Sequence, residues 1–368
     1  MPRPLPRSLH AAHDRFGLSR PFRIARGVKT AADVVTVTIR DGDHIGRGEG
    51  VPYPRYGESV ESALAQVTTV RALIEAGGSR ADLAAAMPAG AARNAVDCAL
   101  WDLEARLSGE TVALPARLAS AITIGIDSAE AMAAVAARHA DVPLLKVKVD
   151  REGAEAQLAA VRAAAPAPRL IVDPNESWRV EDVARRQALL VAHRVDLLEQ
   201  PVPADADAGL AEVASAVPVC ADESLHTRAD LDRLRGRYAF VNIKLDKTGG
   251  LTEALALAEE AAGKGFGLMV GCMVSSSLGI APAMRVAGGA AFVDLDGPLW
   301  LAEDREGGVH DEAGWLTAPA PGFWGSSPPS PLGGEGRGEG KEPRREAPLG
   351  ETPAPHPTLS PQAGRGLL

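Results

Sequence analysis

The run Leu144-Leu145-Lys146-Val147-Lys148 (LLKVK) decides how this chain reads. Its apolar residues ask for a buried strand, yet the strand ends on charge. Working outward, the same construction recurs: LIVDPN (170–175) carries Asp173, DLLEQP (196–201) Glu199, VPVCADE (217–223) Asp222 and FVNIK (240–244) Lys244. Each ionisable residue stands at the carboxyl end of a short apolar run, about one strand–helix unit after the last. In a parallel β/α barrel those ends share one face, so Lys148, Asp173, Glu199, Asp222 and Lys244 converge on one pocket.

Eight strand-like runs are expected, at about 122–126, 144–149, 170–173, 197–199, 217–221, 241–245, 268–271 and 292–295. Ala-rich amphipathic stretches such as 129–140 and 252–263 fill most gaps. A doubly wound sheet shares that beat, but it needs a Gly-rich phosphate turn after its first strand, and ITIGIDSAE has no GxGxxG. The expected fold is therefore α/β, a modified TIM barrel of (β/α)7β form over residues 118–298. Before it, VVTVTI (34–39) reads as a strand that turns at Asp41-Gly42-Asp43 into a second. Helical periodicity follows, including 91–107 with Val96, Leu100, Leu103 and Leu107 on one face. Residues 1–117 make an α+β capping domain, with 299–324 packing back on it. From 325 to 368 the chain is rich in proline and glycine without apolar periodicity, which predicts a disordered tail.

Bulk properties exclude several classes. Apolar residues make up 46% and charged residues 24% of the chain, as in globular proteins generally. A net charge of −9 and the lack of a basic run argue against nucleic acid. Three cysteines without CxxC spacing predict reduced thiols, neither a disulfide framework nor a zinc knot. No apolar run is long enough for a bilayer, and the N-terminus lacks a secretory apolar core, so no membrane role and a cytoplasmic location are expected. The sequence leaves the oligomeric state open, a homo-oligomer included.

Three carboxylates on successive strands are hard oxygen ligands of the kind Mg²⁺ takes, one ion per subunit, with positions left for water and a substrate carboxylate. Histidine is missing from these strand ends, so zinc and facial-triad iron fit poorly. Lys146 and Lys148 alternate along one strand and so point to one side. Mutual repulsion and a nearby divalent cation disfavour the charged form of Lys148, as a base requires. Lys244 faces the substrate from across the barrel mouth, whereas Lys247 reads as a surface or helix-start residue. A cation holding a carboxylate between two lysines suits one task. One lysine takes the α-proton, the cation stabilises the enediolate, and the other lysine returns a proton from the opposite face. Racemisation or epimerisation is the expected result.

These motifs resemble the muconate-lactonising subgroup of the enolase superfamily over nearly all of residues 20–305. Segments such as PFRIARG, VPYPRYGES, LPAGAARNAVDCALWDLE, LIVDPNESWR, CADESLHTR, VNIKLDKTGGLTEALALA and DLDGPLWL look like those of its dipeptide epimerases, which act on L-Ala-D/L-Glu in murein-peptide recycling. The resemblance implies Asp173, Glu199 and Asp222 as Mg²⁺ ligands and Lys148 and Lys244 as the acid/base pair. It further implies Lys146 as helper lysine, and Asn175 and Glu223 as groups orienting the ligands. Asp294 and Asp296 would hold the free α-ammonium of a small dipeptide substrate, and Arg26 and Arg55 its glutamyl side chain. Pro174 departs from the family pattern, which has a small residue there. Alternatives are o-succinylbenzoate synthase, N-acylamino-acid racemase and muconate cycloisomerase, none of which needs the two aspartates. A barrel that binds peptide without turnover is the non-enzyme alternative.

Overall fold

The computed structural model describes residues 6–24 and 27–327, all within one compact unit. The chain starts with three antiparallel strands, β1 (Ser8–Ile24), β2 (Gly27–Asp41) and β3 (His44–Gly50), in that spatial order. β2 and β3 match the strands expected from 34 to 49, except that β2 starts earlier. β1 was not foreseen, because its first half, SLHAAHDRF, is too polar to announce a strand; pairing with the apolar β2 holds it in place. Three helices follow: α1 (Val60–Glu75), α2 (Arg80–Ala86) and α3 (Ala91–Ser108). Ser59 and Ser79 start the first two with reciprocal capping boxes.

α3 lies unusually close on β3, and glycine makes that possible. Gly46, Gly48 and Gly50 occupy one face of the strand, and a Cβ on each would fall 2.1–2.2 Å from the carbonyl oxygens of Ala99, Ala95 and Ala91. The four-residue step on the helix meets the two-residue step on the strand, so one helix face presses directly on backbone.

After β4 (Arg117–Ala119) come eight parallel strands: β5 (Ile122–Ile124), β6 (Leu144–Lys148), β7 (Arg169–Asp173), β8 (Leu197–Glu199), β9 (Val219–Ala221), β10 (Phe240–Ile243), β11 (Gly267–Gly271) and β12 (Phe292–Asp294). They neighbour one another in chain order, and each falls where the sequence places a strand. The seam between β12 and β5 is bridged by the Ala121 amide donating to Val293 O at 2.8 Å and the Thr123 amide donating to Asp296 Oδ2 at 2.8 Å. The result is a nearly closed barrel beside the antiparallel domain. Val147, Val172, Leu198, Ala221, Ile243 and Val293 face outward into the large core beneath the helices. Leu144, Ile171, Leu197, Cys220, Met269 and Phe292 face inward and plug the amino-terminal end.

β13 (His310–Glu312) and β14 (Trp315–Thr317) join β4 in a second small antiparallel sheet that the sequence did not announce. Residues after the barrel return to the first sheet: Ala302 N donates to Gly17 O at 2.8 Å, and the Arg305 guanidinium reaches Glu49 at 2.9 Å. Gly325, at the expected start of the tail, is still held by Asp102 Oδ1 at 2.7 Å. The tail from 328 onward lies outside the described residues. All three cysteines are free thiols. Among the described residues no helix is long and apolar enough to cross a membrane.

Candidate active site at the barrel mouth

The five residues singled out from the sequence do come together, and the pleat is the reason. Each sits two residues beyond, or on the same face as, an inward-facing residue of the lower plug, so its side chain also points inward. Lys148 ends β6, Asp173 ends β7, Glu199 ends β8, Asp222 follows β9 and Lys244 follows β10. The carboxylates therefore occupy three adjacent strand ends, and the two lysines flank them four strands apart in a ring of eight. Asp294 ends β12, itself four strands from β8. The axis joining the lysine strands thus crosses the axis joining the Glu199 and Asp294 strands.

All five are buried, and their charges are cross-linked. Lys146 Nζ lies 2.8 Å from Asp294 Oδ2, 2.7 Å from Glu199 Oε2 and 3.1 Å from Asp173 Oδ2. Lys148 Nζ donates to Asp173 Oδ2 at 2.5 Å, and Lys244 Nζ to Asp222 Oδ2 at 2.7 Å. Burial favours the neutral form of Lys146, but Asp294, Glu199 and Asp173 outweigh it and hold the ammonium well above the usual lysine range. Lys244 is likewise held high, burial being outweighed by Asp222. Burial raises Asp173, yet Lys148 and Lys146 bring it down to about 2. Glu199 is the exception: burial, then the charge of Asp173, push it up to about 7.

Asn175 and Glu223 line the cavity together with Asp222. The Asn175 amide donates to Asp173 Oδ1 at 2.8 Å from a left-handed backbone (φ 46°), which asparagine tolerates. Glu223 lines the cavity mouth. Asp296 supports the seam through Thr123, and burial together with neighbouring Asp294 pushes its carboxyl up to about 6. A cation placed between these two carboxyls would relieve both effects.

The cavity above these groups encloses about 620 Å³, open solvent at its mouth included. The antiparallel domain supplies its outer wall: Phe22 near the tip of β1, Lys29 of β2, and Tyr53 and Tyr56 around the single turn Pro54–Tyr56. Phe22 packs edge-on against Trp300 at 4.4 Å, and Tyr53 against Tyr56 at 5.4 Å.

Three sequence expectations need revision or completion. Lys247 is no surface residue: it is fully buried, with Nζ 2.6 Å from Asp222 Oδ1 and 2.5 Å from Asp222 O. The short helix Leu245–Thr248 folds it back beneath Asp222. Arg55 does not line the cavity; its guanidinium makes a two-pronged pair with Glu176 at 2.8 and 2.9 Å. Arg26 lies outside the described residues. The sequence reading missed Lys29, whose ammonium rests 4.6 Å over the Tyr53 ring at the cavity wall. It also missed Thr123 and Asn242, the latter donating to Glu199 Oε1 at 2.9 Å. Polar residues inside a strand give no sign in sequence of what they face.

Among the described residues, no three His, Cys, Asp or Glu side chains stand grouped as a ready-made metal cage. Each strand-end carboxylate instead leans on an ammonium. The donor set still fits a hard divalent ion. It is all oxygen and buried, and Glu199, pushed up to about 7 by burial and then by the Asp173 charge, is a carboxylate that a bound cation would help to ionise.

Comparison with known proteins agrees with this geometry. Residues 7–114 match the mandelate racemase/muconate lactonizing enzyme N-terminal domain, and 127–323 the enolase C-terminal domain-like family. The chain is 47% identical to the L-Ala-D/L-Glu epimerase of Escherichia coli K12, covering 84% of this chain and 99% of that one. It is 44% identical to an N-acetyl-D-glutamate racemase of a Pseudoalteromonas species, over 74% of this chain and 89% of that one. An Agrobacterium tumefaciens enolase family member with homology to dipeptide epimerases, solved with sodium and L-Ala-L-Glu, is 50% identical with a TM-score of 0.85, covering 87% and 100% of the two chains. A dipeptide epimerase of Enterococcus faecalis V583 solved with Mg and L-Leu-L-Tyr is 28% identical with a TM-score of 0.78, covering 85% and 97%. A charged barrel mouth of this order, under an antiparallel cap and matched in both halves, makes this chain a member of the mandelate racemase/muconate lactonizing enzyme family within the enolase superfamily.

Proposed function

We propose that this protein is a Mg²⁺-dependent dipeptide epimerase that inverts the C-terminal residue of L-Ala-D/L-Glu and related dipeptides, as murein-peptide recycling requires. The observation that carries the reading is the placement of Lys148 and Lys244 on strand ends four apart in the eight-strand ring, on either side of three carboxylates. Asp173, Glu199 and Asp222 would hold the cation, which when bound neutralises charge developing on the substrate carboxylate.

The remaining chemistry belongs to side chains. A dipeptide with its ammonium toward Asp294 and Asp296, and its carboxylate toward the β8 side, puts its α-carbon between the two lysines. One lysine, neutral, accepts the α-proton at Nζ; the other, as ammonium, donates a proton from the opposite face, so configuration inverts. The same residues exchange roles for the reverse reaction. Lys146 balances the negative charge of Glu199, Asp173 and Asp294. Phe22, Tyr53 and Tyr56 shield the site from water. Lys29, at the cavity wall, faces the glutamyl side chain and favours acidic C-terminal residues. For Arg55, the Glu176 pair leaves a role at the rim of the loop, one step removed from substrate.

Incubating the protein with Mg²⁺ and L-Ala-L-Glu in D₂O tests this: the glutamyl α-proton should exchange and L-Ala-D-Glu should appear by NMR. No exchange sinks the proposal. The kinship to an N-acetyl-D-glutamate racemase supports a second reading, an N-acylamino-acid racemase. Such a substrate has no free ammonium, so Asp294 and Asp296 would go unmatched. Faster turnover of N-acetylglutamate than of the free dipeptide would favour that reading.

A further inference from the structure

The residue after Glu199 is joined to all three carboxylate-bearing loops. Gln200 is fully buried, with a positive φ of 29° that a non-glycine residue adopts only when its surroundings enforce it. Its backbone amide donates to Cys220 O at 2.9 Å on β9, and its carbonyl accepts from the Glu176 amide at 2.9 Å in the loop after Asp173. Its side-chain oxygen accepts from the amides of Asp222 at 2.8 Å and Ser224 at 3.1 Å. Its side-chain NH₂ faces Val202 O at 2.9 Å, Ser224 Oγ at 2.9 Å and Tyr238 OH at 3.1 Å.

The polarity of this hub is fixed from both ends. Backbone amides can only donate, so the oxygen must face Asp222 and Ser224. At the far end, Asp207 accepts the hydroxyl protons of Ser224 at 2.7 Å and Tyr238 at 3.0 Å, which turns the lone pairs of both toward the Gln200 NH₂. Arg237 pairs with that buried carboxylate at 2.6 Å. The chain of orientation thus runs from Asp207 through two hydroxyls and one amide to the backbone that aims Asp222.

We infer that Gln200 is a positioning residue for the cation site: its amide, oriented by Asp207, sets the direction of the Asp222 carboxylate and locks the loops after β7 and β9 together. The inference rests on the proposed cation-binding role of Asp222. Glutamate is the informative replacement, because it keeps the oxygen facing Asp222 but sets a second oxygen against Val202 O and two committed hydroxyls.

The test uses Mn²⁺ as probe, titrated by electron paramagnetic resonance into wild type, Gln200→Glu and Gln200→Met without dipeptide. Hydrogen–deuterium exchange over residues 219–225 is measured in parallel. Both variants should bind Mn²⁺ about 10–100-fold more weakly, the range for groups that orient metal ligands, and exchange faster in that segment. Variants that are merely less stable, with native Mn²⁺ affinity and native exchange in 219–225, overturn the inference. Wild type that binds no Mn²⁺ overturns the proposed function instead, and the exchange data then decide the positioning role alone. Should the Gln200 variants fail to fold, Ser224→Ala decides: at least threefold weaker Mn²⁺ binding supports the hub, and native affinity refutes it.

Discussion

The barrel interior has two floors that differ in chemistry while sharing the same strands. Leu144, Ile171, Leu197, Cys220 and Phe292 form the lower one; two residues further along the same strands stand Lys146, Asp173, Glu199, Asp222 and Asp294. One pleat separates a dry hydrocarbon plug from a cross-linked set of charges. The difference teaches how a site of this kind is affordable to a marginally stable chain. The plug stabilises the barrel and keeps water from below, and the low dielectric it creates makes every charge above it count for more. The upper floor can then hold a dense set of charges at some cost to folding.

That division can be broken deliberately. The largest effect is expected in the upper floor: Lys244→Ala, or chelation of divalent ions with EDTA, should cut α-proton exchange by about 10²–10⁴-fold, the usual worth of general acid–base catalysis. Circular dichroism should be unchanged by the substitution, because Lys247 still neutralises Asp222. In the lower floor the expectation reverses. Ile171→Ala should cost about 2–5 kcal/mol in denaturant unfolding, as other buried large-to-small changes do, while the folded fraction keeps its activity. Full stability with lost activity would show that the floors do not divide the labour.

A third variant sharpens the boundary between the upper floor and the cap. Asp246 receives the Val51 amide and the Asn94 side chain, both at 2.8 Å, and burial pushes its carboxyl up to about 7. Unfolded, the group titrates near 3.8. Between those values the folded protein binds the extra proton, so its contribution to stability falls as pH rises from about 4 to about 7 and is level above. Asp246→Asn should therefore gain stability relative to wild type over that window; parallel unfolding curves at every pH would contradict this. The smallest effect is expected at the rim, where Arg55 is partly exposed. Arg55→Met should shift stability by less than about 1 kcal/mol and leave exchange of L-Ala-L-Glu within about twofold of wild type. A large rise in KM would return Arg55 to direct substrate contact.

Legibility in the sequence followed backbone periodicity. Strands β6 to β10 could be placed because apolar runs ending in charge have few other uses, and β5, β11 and β12 because they keep the same spacing; the charges then fell on one face by fold geometry. Strand β1 could not, since its polar first half depends on β2 for its pairing. Lys247 was misjudged because three residues beyond Lys244 looks like loop; the turn that buries it is a tertiary event. Arg55 was read as free to meet substrate, although Glu176, distant in sequence, takes its guanidinium. The Gln200 hub left no trace in pattern at all, because an amide shows neither charge nor hydropathy.

The sequence alone determined the alternating barrel, the order of charged residues around its mouth and the chemistry they share, since side-chain identity and a two-residue pleat are local properties. Only the tertiary structure decided which charge neutralises which, how the cap closes the site and what holds Asp222 in aim. Those depend on distances between segments far apart in the chain, set by packing of the whole core.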